Sequence, residues 1–184
     1  RNLMQVDIVT FPQTRVAAVT HSGAPSQEHD TARKLISWKI ENRLLDPSRN
    51  RSYGLHYADP TGPDASKYRV DFCLSIDGPV APNSYGISEL TIPQLRCALA
   101  RDVGSRANNQ AARYLYEQWL PASGARLSGH PLIFHYVNVG PSVQAHEAIT
   151  DVYMPIFEDM PHIHRVPPNK HMQRAGTHKV LGRG

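Results

Sequence analysis

The chain has 184 residues, 40% of them hydrophobic, and a formal net charge of +4. Residues 1–160 hold 15 Lys/Arg and all 16 Asp/Glu, a balance of −1, whereas residues 161–184 hold five basic residues and no acid. A nucleic-acid-binding domain carries its positive charge on the folded surface, and this body is near neutral; no apolar run reaches membrane-spanning length, and no signal-peptide pattern opens the chain.

Residues 4–11 alternate apolar and polar, with Met4, Val6, Ile8 and Phe11 on the apolar side, which predicts a strand. Pro12-Gln13 turns the chain into a return strand over 15–21, closed by Ser22-Gly23. Residues 27–45 have helical spacing, with Leu35, Trp38 and Leu45 on one face, and Asp46-Pro47 ends the helix. Strands follow at 52–58 and 67–76, around the loop DPTGPDAS. Residues 77–84, with two prolines and a glycine, read as a linker.

The order then repeats: strands at 85–92 and 94–102, a helix over 107–119 ending before Pro121, and strands at 131–138 and 147–156. At a shift of 81, Thr10, Pro12, Gln13, Arg15, Ala17 and Gly23 fall on Thr91, Pro93, Gln94, Arg96, Ala98 and Gly104. The same shift puts Trp38 on Trp119, Tyr53 on Phe134 and Pro60 on Pro141; one gap later, Asp71 falls on Asp151. The expected fold is therefore α+β, an internal duplication of a strand-strand-helix-strand-strand unit. The half-repeats cover about 4–77 and 85–157 within one domain, 1–160, and a seam between like halves is a place for a ligand pocket. Past Phe157 periodicity is lost; the basic stretch 161–184 has the composition of a disordered or partner-docked tail. Cys73 and Cys97 lie in apolar strands and read as buried reduced thiols of a cytoplasmic protein.

His162 and His164 lack further ligands at zinc spacing, and HEAIT at 146–150 lacks a second histidine. No metal site or cofactor is expected, and no nucleophile elbow or phosphate-binding glycine loop occurs. Asp71 and Asp151 each sit inside an otherwise apolar final strand of their half, where a charge is costly to bury alone. Asp71 has Arg69 two residues away, and Arg15 is a second candidate partner; Asp151 has no basic neighbour in sequence. Tyr53, Tyr57, Phe134, Tyr136 and Tyr153 lie on the last two strands of their halves, and Trp38 and Trp119 on the helices. Rings around one carboxylate make a cage for a lipophilic cation. The candidate ligand-binding residues are Asp151, Trp119, Tyr136, Tyr153, Tyr57, Trp38, Phe134 and Asp71.

On YGLHYADP and YRVDFCLSI in the first half, and RCALARDVG, YLYEQWLPASG and TDVYMPI in the second, the chain resembles the GyrI-like small-molecule-binding family over about residues 4–157. That family includes effector-binding domains of AraC-type and MerR-type transcriptional regulators. The resemblance implies two antiparallel sheets with one helix each and a ligand groove between them. It implies amphipathic, often cationic aromatic ligands, with an acid near the pocket centre at the position of Asp151. Regulators of these types carry a helix-turn-helix region ahead of this domain. The sequence has no room for one, so the chain reads as a freestanding domain or a fragment, without direct nucleic-acid contact of its own. Binding, as a sensor or by sequestration, ranks ahead of catalysis. A hydrolase using Asp151 as base and Tyr136 or Tyr153 as proton donor is the alternative; a gyrase-inhibitor-like interaction protein, a protein partner at the tail and a homodimer stay open.

Overall fold

A computed structural model describes residues 3–57 and 67–157. The basic tail, and Pro60 with most of its loop, lie outside the described residues. Eight strands and two helical segments fill the described chain. They are β1 (Asp7–Phe11), β2 (Thr14–Ser22), α1 (Glu28–Glu41), β3 (Ser52–His56), β4 (Arg69–Ser75), β5 (Ser88–Ile92), β6 (Leu95–Val103), a second helix beginning with α2 (Gln110–Tyr114), β7 (Leu132–Tyr136) and β8 (Ile149–Pro155).

All eight strands form one antiparallel sheet in the order β1-β6-β8-β7-β3-β4-β2-β5. The two sheets expected from the sequence are thus one, because β3 and β7 pair across the middle from Ser52–Tyr136 to His56–Leu132. The order reads the same from either edge once β1 is exchanged for β5, β6 for β2, β8 for β4 and β7 for β3. The registers follow: Asp7 faces Leu99 as Ser88 faces Ala18, and Thr20 faces Asp71 as Arg101 faces Asp151. The pseudo-twofold point is the cross-strand pair Gly54–Phe134. The one-residue slip falls before β3, so the counterpart of Tyr53 is Ile133 and that of Gly54 is Phe134, not the Tyr53–Phe134 match read from the sequence.

The first strand of each half crosses over: β1 edges the second half and β5 edges the first. Four strand spacings, about 19 Å if flat, separate β1 from β3. Yet the rings of Phe11 and Tyr53 stand 5.6 Å apart. The sheet is therefore curled, and its concave face holds one core built from both halves: Phe11, Val16, Leu55, Cys73, Ile92, Cys97 and Ile133, with Tyr153 packed against it. Cys73 and Cys97 are buried and unbridged, as expected.

The helices cover the outer face. Leu35 and Trp38 of α1 pack on Ala17, Val19 and Leu74; Ala111, Ala112 and Leu115 of the second helix pack on Ala98, Phe134, Val152 and Met154. Leu45, expected on the apolar stripe of α1, lies past the helix end and is exposed. The second helix does not stop before Pro121. A π turn at Leu115–Trp119 leads into α3 (Leu120–Ser123), which carries Pro121 in its first turn and ends at Gly124 with φ 74°. A π turn re-registers the hydrogen-bond ladder just where the proline would break it.

Candidate functional site

The eight expected site residues divide between the two faces of the sheet. Alternation along the strands puts Tyr153, Asp151, Asp71 and Tyr57 on the concave side, and Phe134, Tyr136, Trp38 and Trp119 on the helix side. They cannot form one cage.

Both aspartates already hold partners. Asp151 is not the lone anion expected: Arg101, directly across in β6, donates from Nε to Oδ1 at 2.7 Å and from an Nη to Oδ2 at 3.0 Å. Asp71 accepts from the hydroxyls of Thr20 and Tyr57, each at 2.6 Å, and Arg69 lies 3.5 Å away. Arg69 also sits 3.9 Å above the Tyr57 ring. The ring-and-carboxylate cage exists here, and the chain's own guanidinium occupies it. Arg15, the other partner considered for Asp71, pairs with Glu89 instead. The Asp151–Tyr136 pairing of the hydrolase alternative fails because the two side chains lie on opposite faces. Burial pushes the Tyr153 hydroxyl up to about 12, with the Asp151 charge adding to it. Trp38 is 4% exposed inside the core under α1 and is out of a ligand's reach.

Of the helix-side residues, Phe134 and Tyr136 meet at the pseudo-twofold point. Gly54 has no side chain there, and a Cβ on it would stand 2.4 Å from the Tyr136 hydroxyl and 3.3 Å from His56 Nε2. The His56 ring lies against Phe134 at 4.0 Å, and Phe134 meets Tyr136 edge-on at 6.5 Å. Tyr68, which precedes β4, approaches His56 at 6.3 Å and donates its hydroxyl to Glu28 Oε2 at 2.7 Å. Arg106 covers the Tyr136 ring at 5.2 Å, anchored by the carbonyls of Asn138 and Ile149. Burial, then the Glu28 charge, holds the Tyr136 hydroxyl well above its ordinary range. Tyr68 is raised the same way by burial and its bond to Glu28. Among the described residues Glu28 enters no ion pair, unlike Asp71 and Asp151. Trp119 is partly buried on the same face, against the core beneath the second helix.

Sequence reasoning missed Glu28, His56 and Tyr68. Glu28 reads as an ordinary acid in a first helical turn, and His56 as one of ten histidines. Period-2 alternation could have found His56, since it shares the face of Gly54 and sits two register steps from the Gly54–Phe134 pair. Among the described residues, no cluster of His, Cys, Asp or Glu could hold a metal ion, and no helix is long and apolar enough to cross a membrane.

Comparison with known proteins gives the same family as the motifs. The family model of the GyrI-like small molecule binding domain matches residues 4–156. The probable transcriptional regulator YgiV of Escherichia coli K12 is 31% identical over 154 residues, covering 83% of this chain and 96% of that protein. The EcmrR C-terminal domain superposes with a TM-score of 0.68 at 15% identity, over 86% of this chain and 100% of that one. SAV2435, solved bound to tetraphenylphosphonium, gives 0.50 at 12% identity, over 88% of this chain and 98% of its own.

Proposed function

The chain belongs to the GyrI-like small-molecule-binding family, and from that membership we propose that it is an effector-type module for amphipathic aromatic ligands carrying a cationic group. The ligand is bound on the helix side of the sheet, at the pseudo-twofold point between two duplicated halves. Phe134, Tyr136 and Tyr68 supply rings, Trp119 borders them, and Glu28 takes the role the sequence assigned to Asp151. One observation carries this reading. Glu28 is met by a tyrosine hydroxyl, whereas Asp71 and Asp151 are met by arginines. A carboxylate beside ring faces attracts a cation, whereas one already bonded to guanidinium has spent most of that attraction. Tetraphenylphosphonium, the compound bound by SAV2435, is a suitable first probe. The relation to regulator effector domains favours a sensor role, with the signal passed to a partner or to another part of a longer chain.

Titration with tetraphenylphosphonium, followed by tryptophan fluorescence, tests the reading. Saturable quenching is expected, with affinity falling about tenfold in Glu28→Gln and less than about twofold in Asp151→Asn. No saturable response, or a larger loss in Asp151→Asn than in Glu28→Gln, would contradict it.

A further inference from the structure

His56 is 8% exposed, and among the described residues neither of its ring nitrogens has a hydrogen-bond partner. An imidazole always carries at least one N–H, and in the neutral form its other nitrogen is an acceptor. A buried orphan of this kind destabilises the fold, and native structures keep few. The ring is not wedged against apolar atoms on every side. With Tyr116, Leu132 and Met154 it borders a cavity of about 150 Å³, large enough for a small polar group. On its other flank the Tyr136 hydroxyl fills the space over Gly54, where a side chain would collide with it. Across from Tyr136, Thr150 is 0% exposed and its Oγ1 also lacks a partner among the described residues. Of these two buried groups, His56 is the one that borders the cavity.

We propose that His56, at the wall of this cavity, forms a subsite that hydrogen-bonds an uncharged polar group of the ligand, such as a hydroxyl, carbonyl or amide. This rests on the function proposed above and adds to it. The preferred ligand has two parts, a cationic aromatic portion for Glu28 and the rings, and a neutral hydrogen-bonding group for His56. A site whose buried groups must be satisfied discriminates strongly against analogues that lack the partner group. Here it selects against a purely lipophilic cation.

The test compares tetraphenylphosphonium with (4-hydroxyphenyl)triphenylphosphonium, which differ by one hydroxyl, on the full chain and its variants. The hydroxylated probe is expected to bind the native chain about tenfold more tightly. That ratio should fall to about one in His56→Phe, whatever happens to the absolute affinities, and survive in part in His56→Gln, which keeps a donor and an acceptor. His56→Phe should also melt several degrees higher than the native chain, because it removes an orphaned buried polar group. Equal binding of both probes by the native chain, or an undiminished ratio in His56→Phe, would overturn the subsite and leave the function standing. Failure of both probes to bind the native chain would overturn the function and the subsite with it. A His56→Phe melting point below the native one would mean that the ring is satisfied within the fold, and would also overturn the subsite.

Discussion

Burial holds the His56 imidazole down at about 4, against an ordinary value of 6.5. The unfolded chain therefore takes up a proton near 6.5 that the folded chain refuses until about 4. Stability from this group is complete above the unfolded value and drains away as pH falls through that interval, by roughly 3 kcal/mol at most. His135 is also pushed down by burial and contributes a slope of the same sign. Urea unfolding of native chain and His56→Phe at pH 7 and pH 5 separates the two. The variant should lose less stability between those pH values, and parallel losses would mean that His56 is solvated or paired. At this scale the sequence was legible in residue type and misleading in partnership. Asp71 and Asp151 were rightly marked as buried charges in apolar strands. The arginine that meets Asp151 lies 50 positions away, and only the β6–β8 register brings it across. Glu28 was invisible because its significance comes from Tyr68 and Tyr136, both distant in sequence.

Strands and helices were largely readable because their periodicity is local. Each of the eight strands, from Asp7–Phe11 to Ile149–Pro155, falls on or within a residue or two of a predicted run. What was not readable was strand exchange and sheet closure, which depend on pairing between halves. Because β1 hydrogen-bonds to β6, its removal should weaken the second half, not the first. Deleting residues 1–11 is expected to raise amide exchange along Leu95–Leu99 more than along Thr14–Ala18. The reverse order, measured by hydrogen exchange, would contradict the exchanged pairing. The helix end was misjudged for another reason. Proline is a sound stop signal in an α-helix, but the π turn at Leu115–Trp119 re-registers the ladder ahead of Pro121. That turn also carries Trp119 and Tyr116 beside the site, as π turns often do near functional residues.

For the molecule as a whole, the repeat read from the sequence predicts a two-part body, and the strands run in a palindromic order within one sheet. The expected groove between two sheets does not exist in that form. Curling packs the middle of the concave side around Phe11, Tyr53 and Tyr153; the two strand acids are tied to arginines there, and a cavity of about 460 Å³ lies beside Tyr57, Arg69 and Asp71. His56 and Glu28, which among the described residues enters no ion pair, lie on the other side, where the two halves meet at Gly54 and Phe134. The most direct test of this placement is a titration of isotope-labelled protein with tetraphenylphosphonium, followed by chemical-shift mapping. The placement predicts the largest shifts at Glu28, Gly54, His56, Tyr68, Phe134 and Tyr136. Shifts centred instead on Arg101, Asp151 and Tyr153 would put the ligand on the concave face and contradict it.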